Sequence, residues 1–279
     1  MNIYFTLIIL GIVQGIAEFL PISSSGHLVI LEQMEFFSRN LREYGPDMNL
    51  FINVALHLAT LVAIIIYLRH DITNLARGLF QGIMQKRMQS PEIRTIIFIA
   101  AASIPAALAG LLFNDFFERT FSSASMAFIM LIINGFVLIS TKKIPLKNRQ
   151  LEETGLIKSF IIGVFQAVAI LPGISRSGMT IAGGMACGLE GVQAARFSFL
   201  MAIPVIAGAG IMEGLSITAG GFNSGFLLPL VLAMCITVAV ALLSLKLLFA
   251  IVKRIKLDLF GYYTIIVGIT GLVITGIFS

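Results

Sequence analysis

The chain has 279 residues, of which 58% are hydrophobic and 12% charged, with a net charge of +5. A soluble domain carries roughly 25% charged residues, and a mean hydropathy of +0.98 over the whole length excludes a water-soluble body with one anchor. The basic balance does not point to nucleic acid, because Lys and Arg sit in short loops between apolar runs, where they set topology.

Met1 to Leu10 has neither a basic leader region nor a small-residue cleavage site and reads as part of the mature protein. Apolar runs lie at 2–31, 49–68, 96–113, 121–140, 159–189, 197–212, 227–252 and 259–278. The first and fifth are too long and too interrupted for simple spans. Loops 69–95, 141–158 and 253–258 carry five, five and three Lys or Arg, against two in 32–48, one in 114–120 and none in 213–226. The first three are therefore predicted to be cytoplasmic. If 159–189 crossed once, that bias would reverse in the second half. Pro172, Gly173 and Gly178 break its helix, and non-helical backbone at membrane depth is tolerated where it lines protein or a wet cavity. A re-entrant helix-loop-helix is predicted. Cys187 and Cys235 both lie in apolar stretches and support neither a disulfide framework nor a paired-cysteine metal site.

Sliding the chain on itself by 152 residues superposes Gly11, Gln14, Ala17, Ile22, Ser23, Ser25 and Gly26 on Gly163, Gln166, Ala169, Ile174, Ser175, Ser177 and Gly178 without a gap. The predicted fold class is an all-α polytopic membrane protein with an inverted-topology repeat, each half one re-entrant helix-loop-helix plus three transmembrane helices. The halves fall at about 1–140 and 159–279, joined by the cytoplasmic loop 141–158, in a single integral membrane domain over 1–279. Two broken helices entering from opposite faces should bring Ser23 to His27 beside Ser175 to Thr180 near the midplane.

The candidate chemistry sits at these breaks. Gln14 and Glu18 share a helix face at i, i+4 spacing and precede Pro21; a carboxylate in an apolar run is a functional suspect, with structural pairing to an Arg as the bland alternative. Ser23, Ser24 and Ser25 supply hydroxyls, Gly26 exposed amides, and His27 an imidazole within local reach. The second break differs: Arg176 stands at the place of Ser24, Ile170 at that of Glu18 and Met179 at that of His27. A planar guanidinium flanked by Ser175, Ser177 and Thr180 suits phosphate oxygens, so an anionic ligand is expected. Asn53 and His57 form another i, i+4 pair, with His57 a supporting candidate only; Asn134, Ser198 and Lys246 read as helix-to-helix hydrogen bonding or snorkelling. No nucleotide-binding motif is present.

The stretch Gln14-Gly-Ile-Ala-Glu18-Phe-Leu-Pro-Ile-Ser-Ser-Ser-Gly-His27, with Leu171-Pro-Gly-Ile-Ser-Arg176-Ser-Gly-Met-Thr180 and Ala195-Arg-Phe-Ser-Phe-Leu-Met-Ala-Ile-Pro204, resembles the bacterial undecaprenyl-diphosphatase, or bacitracin-resistance, family. The resemblance implies hydrolysis of undecaprenyl diphosphate to the lipid monophosphate and phosphate, recycling the carrier for cell-wall synthesis, with a divalent cation, Mg2+ or Ca2+, assisting. It implies a multi-pass protein of the bacterial cytoplasmic (inner) membrane in contact with membrane lipids and with no nucleic-acid partner; a homodimer is among the assemblies allowed. Carried over by position, the acidic motif falls on Gln14 and Glu18, the Ser and His motif on Ser23, Ser24, Ser25 and His27, and the Arg motif on Ser175, Arg176, Ser177 and Thr180. Gln14 stands where some members have Glu, which lowers the charge available to a metal, and Asn53 where some have an acid, so Asn53 is given no essential role. The expected mechanism has Ser24 attacking the terminal phosphorus, or a water doing so while Ser24 binds phosphate. His27 handles the proton, Glu18 orients His27 or helps hold Mg2+, and Arg176 with the loop amides, including Gly26, stabilises the equatorial oxygens. The site is expected to open to the periplasmic or extracellular side. The competing class is a transporter or flippase of a polyprenyl phosphate lipid, which the repeat layout alone does not distinguish.

Overall fold

The computed structural model describes residues 3–34, 37, 41, 48–86, 89–113, 116–117, 123–145, 149–216, 224–254 and 257–278. Their ordered elements are helices: α1 (Ile3–Ala17), α2 (Ser24–Gln33), α3 (Met48–Tyr67), α4 (Arg69–Met84), α5 (Pro91–Leu112), α6 (Ala124–Ser140), α7 (Leu156–Val168), α8 (Arg176–Ala186), α9 (Gly191–Ser216), α10 (Ser224–Val252) and α11 (Asp258–Phe278), with short 3-10 turns at Thr141–Lys143 and Leu151–Glu153. Six helices among the described residues are long and apolar enough to cross a membrane: α3, α5, α6, α9, α10 and α11. The other apolar helices are short. α1 has 15 residues, α2 10, α7 13 and α8 11, which at about 1.5 Å per residue gives roughly 15 to 23 Å each, less than a hydrocarbon core of about 30 Å.

Two boundaries differ from the sequence reading. The basic loop 69–95 contains α4, whose Ile72, Leu75, Ala76, Leu79, Phe80, Ile83 and Met84 repeat with the helical period; the charges that marked the loop as cytoplasmic hid that period. α5 begins at Pro91 rather than 96, because the Ser90 hydroxyl accepts the Ile93 amide (3.4 Å) and Pro91 needs no amide partner in the first turn. Most of the sparsely charged loops 32–48, 114–120 and 213–226, including Arg39, Arg42 and Arg119, lie outside the described residues.

Helix contacts run across the two halves of the chain. α1 packs chiefly on α10, and α7 chiefly on α5; α6 lies along α11, and α3 meets both α9 and α10. Glycine permits the first two approaches. A Cβ on Gly11 would meet Thr237 Oγ1 and the Ala233 carbonyl of α10, and one on the repeat-matched Gly163 would meet the Ala102 backbone of α5. Small residues at such seams let backbones approach where no hydrophobic driving force separates helix from lipid. The larger apolar core is centred on Phe19, Phe197, Phe199, Ile64, Ile162 and Leu245, all fully buried, with the Phe19 and Phe199 rings edge to face at 5.5 Å. The outer faces of the long helices carry exposed Leu, Ile and Phe, such as Leu108, Phe136, Leu243 and Ile266.

The basic loops meet at one end of the bundle. Lys142 pairs with Asp258 at 2.8 Å, Arg196 at the start of α9 faces Asp71 of α4 at 3.7 Å, and Gln193 donates to Gln150 at 2.7 Å.

Candidate functional site

The two chain breaks, residues 18–23 and 169–175, come into contact: a Cβ on Gly26 would lie 2.9 Å from the Gly173 Cα, and one on Gly178 would lie 3.1 Å from the Pro21 side chain. Local sequence explains both turns. Pro21 cannot continue α1, and Gly173 takes φ +95° against the Ala127 carbonyl, which only glycine allows. Each following helix is capped by the same residue in the repeat register. The Ser23 hydroxyl accepts the Gly26 amide and the Ser175 hydroxyl accepts the Gly178 amide, both at 3.1 Å. Hydroxyls two residues on complete the pattern, Ser23 to Ser25 at 3.3 Å and Ser175 to Ser177 at 3.1 Å. The N-termini of α2 and α8, where orphan amides favour anions, thus lie side by side. They differ in backbone: Ser23 takes φ 71°, ψ 98°, a region that side chains rarely occupy, whereas Ser175 is extended.

Asn134 of α6 joins the breaks. It is fully buried, its amide nitrogen donates to the Pro21 carbonyl (3.2 Å) and its oxygen accepts from the Ser175 amide (3.0 Å). One side chain therefore holds both turns, saturating backbone groups that the breaks leave open.

Glu18 is the centre of the site. One carboxylate oxygen, Oε1, accepts from Arg176 Nη2 at 2.7 Å. The other, Oε2, accepts from the Ser24 hydroxyl at 2.7 Å and the Gln14 amide at 3.2 Å, with His57 Nε2 at 3.6 Å. A carboxylate as buried as Glu18, 7% exposed, needs such partners, since a lone charge in this environment would cost several kcal/mol. The buried Nη1 of Arg176 has no hydrogen-bond partner in the protein. A cavity of about 240 Å³ opens here. Its polar wall is Glu18, Ser24, Ser25, His57, Ser175 and Arg176; its apolar wall includes Val54, Ile170, Val205, Ile206 and Gly210.

The residues expected from sequence thus divide. Glu18, Ser24, Ser25, Ser175 and Arg176 line the cavity; Gln14, Ser23, Gly26, Ser177 and Thr180 support the wall. Ser23 and Ser175 act as caps, and Thr180 bonds to Ser198 (2.6 Å) and to the Arg176 carbonyl (2.7 Å). His27 is not part of the cavity wall. Its Nδ1 donates to the Ser23 carbonyl (2.8 Å), and its Nε2 accepts from the Tyr263 hydroxyl of α11 (2.9 Å). The Ser24 hydroxyl instead points directly at Glu18. His57 reaches the cavity from α3, and Asn134 braces it from α6; the one signal for either in the sequence was a polar residue inside an apolar run.

The donor set fits a protein-held divalent cation poorly. Mg2+ or Ca2+ takes six or more oxygens, whereas the one carboxylate here is bound to a guanidinium, and no group of three or more His, Cys, Asp or Glu that could hold a metal occurs among the described residues. The Gln14 Oε1 is a buried oxygen without a partner, a single neutral ligand.

The bacitracin resistance protein BacA family model matches residues 7–270. Among curated proteins, the chain is similar to the undecaprenyl-diphosphatases of Moorella thermoacetica, 38% identical over 93% of each chain, of Carboxydothermus hydrogenoformans, 36% identical over 97% of each, and of Rubrobacter xylanophilus, 36% identical over 92% of each.

Proposed function

Because the chain belongs to the bacitracin resistance protein BacA family, we propose that it is an undecaprenyl-diphosphatase of the bacterial cytoplasmic membrane. It hydrolyses undecaprenyl diphosphate to undecaprenyl phosphate and inorganic phosphate, which returns the lipid carrier to cell-wall synthesis. The observation that carries this reading is the pairing, at one cavity, of a hydroxyl hydrogen-bonded to a carboxylate with a guanidinium whose Nη1 is unoccupied.

Each residue's part follows from its contacts. Ser24 Oγ is the nucleophile toward the terminal phosphorus, and Glu18 Oε2 receives its proton. Arg176 Nη1 and the amides at the starts of α2 and α8 bind the oxygens on which charge concentrates in phosphoryl transfer. Ser25 and Ser175 add hydroxyls to that shell, while Gln14 orients Glu18. The apolar wall from α3 and α9 accommodates the first isoprene units. A divalent cation, which the family resemblance implies, is carried on the diphosphate oxygens in this reading rather than by Glu18, and no step above depends on it.

The finer architecture is proposed with the function. The common cap geometry of the matched breaks and the reciprocal packing of α1 on α10 and α7 on α5 support an inverted repeat with two re-entrant pairs. Gly210 lies 19 residues beyond Gly191, about 28 Å from the basic end of the bundle at 1.5 Å per residue. This supports a cavity that opens toward the periplasmic or extracellular face.

The deciding test incubates purified protein in detergent with a long-chain isoprenyl diphosphate, with and without Mg2+, and measures free phosphate. Release by the wild type and its loss in Arg176→Ala are expected. No release by the wild type would leave lipid transport as the better account. Acid quench should trap phosphoserine on Ser24; a water nucleophile predicts none.

A further inference from the structure

The catalytic set above contains no group that can hold the Ser24 proton away from Glu18, although Glu18 must stay paired with Arg176. Two histidines lie near enough to consider. The ring of His27 has both nitrogens engaged: the Ser23 carbonyl can only accept, so Nδ1 carries the hydrogen, and Nε2 takes the Tyr263 hydroxyl. It also stands outside the cavity wall. His57 differs in one respect. Its Nδ1 likewise donates to a carbonyl, that of Asn53 four residues earlier at 2.8 Å, but its Nε2 faces the cavity, 3.6 Å from Glu18 Oε2.

That distance is too long for a hydrogen bond, and in the neutral tautomer it sets a lone pair opposite a carboxylate oxygen. A proton placed between them resolves the repulsion. We propose that His57 is the proton-exchanging imidazole of this site, working through the Glu18 oxygen that Ser24 already contacts; this rests on the phosphatase reading. As Ser24 Oγ bonds to the terminal phosphorus, the bridging O–P bond breaks and its electron pair leaves on the lipid monophosphate. The Ser24 proton passes to Glu18 Oε2 and then to His57 Nε2. When water attacks the phosphoserine, the seryl oxygen takes that proton back as its bond to phosphorus breaks. One proton of the water goes to the Glu18–His57 pair and from there to solvent, and the other leaves on inorganic phosphate. Arg176 and Glu18 are the charged groups facing the ring across the cavity, and His57 itself is one-third exposed to it. His27 keeps a positioning task, holding the Ser23 carbonyl so that the adjoining Ser24 meets Glu18.

The experiment compares His57→Ala, His57→Gln, His27→Ala and His27→Gln with the wild type in the phosphate-release assay, each checked for an unaltered thermal transition. Wild-type release tests the phosphatase reading by itself; the variants test the role of His57. His57→Ala and His57→Gln should each lose about 100-fold in kcat with KM little changed, the range of a general acid–base group. Added imidazole should restore part of the His57→Ala rate and none of the His27→Ala rate, whereas His27→Gln, whose amide can still donate to the Ser23 carbonyl, should recover part of the His27→Ala loss. A folded His57→Ala enzyme within about threefold of the wild-type kcat overturns the proposal. So does full activity in His57→Gln, or rescue by imidazole at position 27 instead of 57.

Discussion

At the scale of single residues, the site depends on pairs that no member can leave without exposing another. Removing the Arg176 guanidinium takes away the phosphate clamp and strands Glu18. Arg176→Ala should lose about 2 to 4 kcal/mol of transition-state stabilisation, or ~30-fold to ~1000-fold in kcat. Arg176→Lys should recover little, because a point charge cannot bind Glu18 and a phosphate with separate nitrogens. Ser23 makes a different case. Its φ of 71° is strained by about 1 to 3 kcal/mol, and glycine there would relieve the strain while weakening the cap by only a few tenths. Ser23→Gly should therefore raise the thermal transition in detergent and yet slow phosphate release, since the turn that aims Ser24 would be free to relax. A variant both less stable and fully active would contradict this. The same geometry shows why the sequence misdirected attention to His27. A residue four positions into a helix has its side chain tilted back over the first turn, so the ring that stands beside three serines in the sequence folds onto the Ser23 carbonyl and not onto the substrate.

At the scale of elements, the breaks are held in register by α6. Asn134→Leu keeps the volume but leaves the Pro21 carbonyl and the Ser175 amide buried without partners, at about 1 to 3 kcal/mol each. Thermal unfolding should register that loss, and kcat should fall more than KM rises, because Ser24 and Arg176 sit on the two turns the amide joins. Gly11→Val and Gly163→Val should each destabilise by about 1 to 3 kcal/mol or more through overpacking against α10 and α5. Much at this scale was legible beforehand. The long spans followed from apolar length, the breaks from Pro21, Pro172 and Gly173, and the shared caps from the 152-residue register. What stayed hidden required knowing neighbours. An Asn or a His in an apolar run announces a hydrogen bond but not its partner, and only the packing of α3 and α6 against the breaks makes His57 face Glu18 and Asn134 reach two backbones. α4 escaped notice for another reason, its charges having been counted for topology before its period was examined.

For the whole molecule, the meeting of Lys142 with Asp258 and of Arg196 with Asp71 gathers the basic loops at one end, opposite the side to which α9 carries the cavity. In a background with Cys187 and Cys235 replaced, an impermeant thiol reagent applied to intact cells should label Met212→Cys, exposed near the far end of α9, and should leave Gln85→Cys after α4 unlabelled until the membrane is opened. The reverse pattern would turn the protein over and place phosphate release in the cytoplasm.

The exchange of helices between the halves also bears on how the protein is made. α1 leaves the ribosome first, but α10, the helix on which it rests, starts at Ser224. At about 5 to 20 residues per second, the roughly 200 intervening residues take some 10 to 40 seconds to appear. Throughout that interval a helix too short to cross the bilayer, followed by a turn with unsatisfied backbone groups and a carboxylate whose arginine is not yet synthesised, has no native neighbour. The insertion machinery has to shelter this segment until the second half arrives. Expressed alone, the first half should be degraded, and co-expression with the second half should rescue it.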